Sequence, residues 1–183
     1  AMGDVTRVAY WINMLSALSS AFTILFLFWS IVLLGRRMMG VFDVRVITSD
    51  QTWILMGAGM VGALAYTFSD SFWFSAVEGE VYGSSSFFTA IVFWAILKWE
   101  TVAEEKHSDR WLILIAYLMG LSIGVHLLNL LTIPALGFVY YFRKYPVTTK
   151  GIIYTSMISV AILGFVQYGV IQGLVSLAAD FDL

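Results

Sequence analysis

Six long apolar stretches, separated by short polar loops, constrain this chain more than any other feature of its sequence. A helix that crosses a bilayer needs about 20 mostly apolar residues. The chain has 183 residues, of which 60% are hydrophobic and only 12% are charged, whereas about a quarter of the residues of a soluble domain are charged. The sequence therefore predicts an all-α, polytopic integral membrane protein that has the lipid bilayer as its surroundings.

The predicted spans form a single transmembrane domain over residues 1–183. The stretch 111–142 has no Asp, Glu, Lys or Arg, and as one helix it would extend for roughly 48 Å, well beyond the roughly 30 Å of a hydrocarbon core. We therefore divide it near His126, and we expect Pro134 to kink the second half or to leave a carbonyl unpaired. The six spans are then 11–34, 52–68, 83–99, 111–126, 128–142 and 151–177.

The positions of the positive charges support this arrangement. Nine of the ten Lys and Arg residues fall in the loops 35–51, 98–110 and 143–150, and only Arg7 lies on the other side. Since Lys and Arg are enriched in cytoplasmic loops, these loops are predicted to be cytoplasmic and both termini extracytoplasmic.

Small and hydroxyl-bearing residues indicate how the spans pack. The polar start of the first span predicts a helix that is buried against protein, and its polar residues are Asn13, Ser16, Ser19, Ser20 and Thr23. Pairs of small residues four apart allow helices to approach closely, within the chain or in a homodimer. These pairs are Ala58 and Gly62, Gly59 and Ala63, Gly120 and Gly124, and Gly169 and Gly173.

An acidic and aromatic segment, residues 69–82, is the most unusual part of the predicted extracytoplasmic face. Its three carboxylates, Asp70, Glu78 and Glu80, lie among large aromatic residues. One interpretation is an interfacial amphipathic helix whose acids face water. The other is that one or more carboxylates line a cavity and act as an acid or base, or bind a metal or a sugar hydroxyl. In a continuous helix Glu78 and Glu80 would point in different directions.

A second polar group lies where the long apolar stretch divides. Ser122, His126 and Asn129 are spaced as one stripe of a helix, if the helix extends that far. Such a stripe either makes hydrogen bonds between helices or caps a hairpin, or it contacts a phosphate or a sugar. The chain has no cysteine and two histidines, which excludes a thiol nucleophile and a His-rich metal site. No basic patch indicates nucleic acid, and no common nucleotide-binding or hydrolase motif is present.

Two stretches of the sequence resemble a known family. AYTFSDSFWFSAVEGEVY at 65–82, followed by GLSIGVH at 120–126, resembles bacterial polytopic membrane proteins of a domain-of-unknown-function family. That family is similar to the transmembrane protein O-mannosyltransferases of the glycosyltransferase C superfamily. The resemblance extends over essentially the whole chain.

The resemblance implies an O-glycosylation enzyme in the bacterial inner membrane. Its donor would be a polyprenyl-phosphate sugar, with mannose the expected sugar, and its acceptor a Ser or Thr hydroxyl of a protein on the extracytoplasmic side. By the motif positions, Glu78, Glu80 and Tyr82 would orient sugar or acceptor, His126 would contact the phosphate, and Asp70 is a further candidate. The resemblance implies no set of metal ligands.

In such enzymes the base is an Asp or Glu in the first extracytoplasmic loop, and we expect that loop upstream of residue 3. The chain is thus expected to be part of a longer protein. Two other hypotheses stay open, a transporter or flippase-like module and a non-catalytic assembly subunit. The acids cluster at one face and no internal repeat is evident, which favours the enzyme over a transporter.

Overall fold

All the regular structure in the described part of the chain is helical. The computed structural model describes residues 5–41, 46–79 and 81–181, and an all-α fold is confirmed there. A 3₁₀ turn extends over Leu127–Leu131, and a π-helical segment extends over Phe165–Ile171. The α-helices are α1 (Val5–Met38), α2 (Ser49–Thr67), α3 (Asp70–Val77), α4 (Val81–Val102), α5 (Asp109–Ile123), α6 (Thr132–Lys144), α7 (Thr149–Gly164) and α8 (Gln172–Phe181).

Three of these helices are long and apolar enough to cross a membrane. They are α1, α4 and the continuous helix from α7 to α8. The helices α2 and α3 meet the same criteria only as a pair, and they are bent by 68° at the break between them. The helices α5 and α6 have 15 and 13 residues, fewer than a straight span needs. The described chain therefore contains three or four candidate spans, and the number six stays a prediction.

The start of α2 shows how a local sequence signal sets a helix end. The Thr48 side chain accepts a hydrogen bond from the Gln51 backbone N–H, and the Gln51 side chain accepts one from the Thr48 N–H. This reciprocal capping box pairs two N–H groups that the first helical turn would otherwise leave unpaired. It places the beginning of α2 at Ser49, three residues before the predicted span.

The chain divides into two compact units, Ala1–Asn129 and Leu130–Leu183. In the first unit α1 packs on α2, α3 and α4, and α4 packs on α5. In the second unit α6 packs on α7, and α7 leads through the π-helical segment into α8.

The hydroxyl-bearing face of α1 is buried, as predicted. Ser16, Ser20 and Thr23 are all almost inaccessible to solvent, and they face the start of α4. A side-chain carbon on Gly83 of α4 would lie 3.2 Å from both the Ser16 carbonyl oxygen and Ser20 Oγ. Asn13 differs from the rest of the stripe because it is exposed.

The predicted pairs of small residues have different surroundings. A side-chain carbon on Gly59 would lie 2.8 Å from the ring of Phe28, so the backbones of α1 and α2 approach closely there. Gly62 likewise faces Ile31 of α1. For Gly120 and Gly173, the described residues place no atom within 4 Å of the corresponding position. The pairs in α2 therefore serve packing within the chain.

The long apolar stretch 111–142 is two helices with a break of eight residues, since α5 ends at Ile123 and α6 begins at Thr132. Pro134 is the third residue of α6. In the first turn of a helix the N–H has no partner in the same helix, so proline removes no hydrogen bond there. The expectation that Pro134 would interrupt the interior of a span is therefore wrong.

Candidate functional site

The acidic and aromatic segment begins with the short helix α3, and its backbone leaves the helical conformation at Glu78. The helix α3 ends at Val77, and Glu78 has an extended conformation with φ −86° and ψ 140°. The N–H of Glu78 still donates a hydrogen bond to the Phe74 carbonyl oxygen, which closes the last turn. A continuous helix through residues 69–82 is therefore wrong, and Glu78 lies beyond the end of α3.

The five candidate residues fall at different places on this scaffold. Asp70 is the first residue of α3 and Glu78 follows its last, and both side chains are exposed. Glu80 lies outside the described residues. Tyr82 is exposed in the first turn of α4, and His126 is half-buried between α5 and the 3₁₀ turn.

Two of the five residues are in contact. The rings of Tyr82 and His126 have centroids 5.9 Å apart and planes inclined at 46°. They are 44 positions apart in the sequence, so the fold has brought together the two stretches on which the family resemblance rests. The contact places an imidazole beside the end of the acidic segment.

The backbone fixes the orientation of His126. The N–H of Leu128 donates a hydrogen bond of 3.1 Å to His126 Nδ1. Since Nδ1 is an acceptor, the neutral ring holds its proton on Nε2. The Nε2–H is therefore a donor that could reach an anionic group, such as a phosphate oxygen, beside Tyr82.

A buried amide and a buried hydroxyl hold the turn that presents His126. Asn129 Nδ2 donates a hydrogen bond of 3.0 Å to Ser122 Oγ, which in turn donates one of 2.7 Å to the Met119 carbonyl oxygen. Asn129 is 0% exposed. The predicted helical stripe is wrong, because the helix ends at Ile123, but Ser122 and Asn129 do meet as a cap. The His126 N–H donates a hydrogen bond of 2.8 Å to the Ser122 carbonyl oxygen, and the His126 ring contacts Tyr82.

A residue of α1 that was not among the site candidates adjoins the acidic segment. A side-chain carbon on Gly79 would lie 2.7 Å from Asn13 Oδ1 and 2.9 Å from Ile12 Cγ2. A larger residue at position 79 would therefore require the Asn13 and Ile12 side chains to move. The exposed polar Asn13 within an apolar helix was the available sign, but nothing in the sequence connects it with residue 79.

The acids do not form an evident metal site. Within the described ranges, which leave out Glu80, no three His, Asp or Glu side chains are placed so that they could hold a metal ion. What the segment offers a ligand is a pair of exposed carboxylates, an aromatic hydroxyl and an imidazole N–H. These groups suit sugar hydroxyls and a phosphate.

One family model matches most of the chain. Residues 1–149 match the family model described as the protein O-mannosyl-transferase TMEM260 N-terminal domain. The chain belongs to this family. Neither a curated protein nor a solved structure matches the chain. The part that matches the TMEM260 N-terminal domain contains all five candidate residues and ends where α7 begins.

Proposed function

We propose that this chain is the membrane core of a glycosyltransferase that uses a polyprenyl-phosphate sugar. The sugar is transferred to a Ser or Thr hydroxyl of an acceptor protein on the extracytoplasmic face, and the family name indicates mannose. The proposal is supported by membership of the O-mannosyl-transferase family and by helices that are apolar enough to cross a membrane.

The contact between Tyr82 and His126 is the observation on which the proposed site depends. It joins the two sequence stretches typical of the family and puts the imidazole of His126, with its N–H donor, beside Tyr82. A polyprenyl-phosphate sugar needs groups of these kinds, because its sugar hydroxyls must be oriented and its phosphate must accept hydrogen bonds as it leaves.

The proposed reaction assigns a role to each group. The acceptor hydroxyl oxygen attacks the anomeric carbon of the sugar, and its proton passes to a carboxylate base. The bond between the anomeric carbon and the phosphate oxygen breaks, and the electron pair leaves with the phosphate. The Nε2–H of His126 stabilises the growing negative charge on that phosphate. Glu78, Glu80 and Tyr82 orient the sugar or the acceptor, with Asp70 at the edge of the site.

We further propose that the fold is the glycosyltransferase C type, with six spans in the bacterial inner membrane. The helices α5 and α6 would cross as a pair of short spans, and both termini would be extracytoplasmic. The distribution of Lys and Arg supports this orientation, because it puts the acidic segment on the side opposite to nine of the ten positive charges.

The proposal predicts that His126→Ala lowers sugar transfer while the protein still folds. With the protein reconstituted in vesicles, polyprenyl-phosphate mannose as donor and a Ser/Thr peptide as acceptor, kcat should fall by about a hundredfold, as when one donor to a developing oxyanion is removed. The product is measured by mass spectrometry of the peptide. Glu78→Gln and Glu80→Gln should also reduce transfer.

The chain contains its own controls for these variants. His107, the other histidine, is exposed in the loop between α4 and α5, and it has a positive φ of 70° that asparagine tolerates. His107→Asn and Glu105→Gln should both retain normal transfer. Normal transfer by His126→Ala would remove this residue from the site. Translocation of the lipid-linked sugar without peptide modification would favour the flippase-like alternative.

A further inference from the structure

The helix α3 presents an apolar face to its surroundings. Phe72 is buried, with its ring centroid 4.5 Å from that of Tyr66 at the end of α2. Trp73, Phe74 and Val77 are each more than half exposed. These three side chains lie on the side of the helix opposite Phe72, and together they are called here the apolar face of α3. Exposed apolar groups of this size indicate that something other than water covers them.

The length of α2 indicates where in a membrane α3 would begin. The 19 residues of α2 extend for roughly 28 Å, which is close to the roughly 30 Å of a hydrocarbon core. A helix packed along α1 would thus have reached the boundary of the hydrocarbon at the point where the chain bends by 68° into α3. The bend leaves α3 closer to the membrane plane than to its normal.

Aromatic residues on neighbouring helices mark the same level. Tyr10 and Trp11, an exposed edge-to-face pair near the start of α1, lie a few residues before the point where α1 meets Gly79. The exposed Tyr82 lies in the first turn of α4, one of the candidate spans. Trp and Tyr are enriched at the headgroup level of membranes. Two helices, α1 and α4, therefore place amphipathic rings beside the acidic segment.

We propose that α3 lies in the membrane–water interface, with its apolar face in the lipid. Lipid is the occupant because α3 continues directly from a helix of bilayer length and adjoins two others with aromatic boundaries. The single charge of α3, Asp70, is in its first turn, where the polar headgroup region can solvate it. The helix then holds Glu78 and Gly79, which follow it directly, at the level of the headgroups.

This position also defines the kind of donor that fits, a step that depends on the function proposed above. The prenyl chain of a lipid-linked sugar stays in the hydrocarbon, so its phosphate lies at headgroup level. A site that α3 holds at headgroup level can bind the phosphate of this donor while the prenyl chain stays in the hydrocarbon. A short-chain donor dissolved in water gains nothing from this arrangement.

The depth of Trp73 tests the proposal directly. The protein is placed in vesicles of lipids brominated either near the headgroup or deep in the acyl chains, and the emission of Trp73 is obtained as the difference between wild type and Trp73→Phe. We expect strong quenching by shallow bromines, weaker quenching by deep ones and weak quenching by iodide. Trp94, near the middle of α4, is the comparison, and its emission should respond most to deep bromines.

Each other result overturns the proposal. Quenching by iodide and not by lipid places α3 in water. Quenching that matches Trp94 makes α3 part of a span. Protection from every quencher means that protein, such as a second copy of the chain, covers the apolar face.

A kinetic comparison tests the link to the donor. Trp73→Ser combined with Phe74→Ser should raise KM severalfold for a long-chain polyprenyl-phosphate mannose, with kcat and the KM for a short-chain donor unchanged. Ser71→Ala, an exposed change on the same helix, is the control. An unchanged KM for the long-chain donor overturns the link. If the wild type transfers no sugar, the proposed function fails, whereas the quenching result still decides the position of α3.

Discussion

Individual glycines in this chain mark the places where two segments come too close for a side chain. Gly79 lies against Asn13 and Gly137 against Ser159, and Gly151 lies against the ring of Tyr141. At each position the neighbour is a side chain from another element, so the glycine serves close approach and not backbone flexibility. Substitution there has a cost that the surrounding sequence does not reveal.

Gly151→Ala should destabilise the second unit. The Tyr141 hydroxyl donates to the Pro146 carbonyl oxygen and accepts from the Thr148 N–H, both at 2.9 Å, and this fixes the loop between α6 and α7. A methyl group on residue 151 would displace the ring and break these bonds. We expect a loss of about 2 kcal/mol, in the range for an overpacked site, measured by denaturant unfolding in detergent.

Gly57→Ala is the matched control for this prediction. It lies in α2, and no atom of the described residues is within 4 Å of the position that the methyl group would take. Alanine should therefore stabilise α2 by up to about 1 kcal/mol, as expected within a helix. Equal effects of the two substitutions would show that the Tyr141 contact does not limit the space at Gly151.

Single residues were predictable from the sequence where helical periodicity applies and not elsewhere. The stripe of Ser16, Ser20 and Thr23 is buried as expected, because α1 continues unbroken through it. The prediction that Ser122 and His126 lie on one helical stripe was wrong, because α5 ends at Ile123. Periodicity locates residues on a helix, but it does not indicate where a helix stops inside an apolar run.

At the scale of helices, the interface of α1 with the first turn of α4 contains small and hydroxyl-bearing residues, and aromatic rings such as Phe26 and Trp94 pack farther along it. Ser19 Oγ and Ser84 Oγ are 3.4 Å apart, and Gly83 lies against the backbone of α1. Without a hydrophobic driving force in lipid, helices associate through such close packing and hydrogen bonding. This interface connects the polar face of α1 with the residues that follow the acidic segment.

A pair of engineered cysteines would test this interface. Because the chain has no cysteine, Ser19→Cys with Ser84→Cys gives a protein with only those two thiols. Their side chains already meet, so mild oxidation should form a disulfide, whose sulfur atoms are about 2.05 Å apart. The readout is loss of labelling by a maleimide mass tag, restored by reductant.

Ser30→Cys with Ser84→Cys is the control pair. Ser30 lies eleven residues after Ser19 on α1, a separation of roughly 16 Å along the helix. This pair should keep both thiols available to the tag. Disulfide formation by the control pair, or none by the test pair, would contradict the packing of α1 on α4.

The elements themselves were partly predictable. The sequence located the apolar helices because bilayer-length runs are easily recognised, and it located a break within 111–142 from length alone. The sequence also ended the second span at Phe68, before the acidic and aromatic segment, and the break between α2 and α3 lies there, at Phe68 and Ser69. The Ser69 side chain stabilises this turn, because its hydroxyl donates a hydrogen bond to the Tyr66 carbonyl oxygen.

For the molecule as a whole, the positions of the charged residues and the packing of the helices together concern the orientation of the chain. The ends of α1 and α4 are joined by an ion pair between Arg37 and Glu100, within the loops that the sequence assigns to the cytoplasm. The acidic segment lies at the other ends of the same two helices. The orientation of the chain therefore decides on which side any transfer takes place.

Single cysteines at three exposed positions would establish the topology. In sealed right-side-out vesicles, Ser71→Cys and Leu128→Cys should react with an impermeant maleimide, and Glu105→Cys should react only after permeabilisation. Positive charges retained in the cytoplasm are the reason for this orientation. Reaction of Glu105→Cys alone would reverse the orientation. Protection of Leu128→Cys alone would show that α5 and α6 do not cross, and the number of spans would fall below six.

The π-helical segment Phe165–Ile171 affects the length of the last candidate span. The helix from Thr149 to Asp180 has 32 residues, and as an ideal α-helix it would be roughly 48 Å long. A wider turn accommodates more residues per unit of axial distance. The segment thereby reduces hydrophobic mismatch without a sharp kink, and it leaves less excess length for tilt to absorb in a thin bilayer.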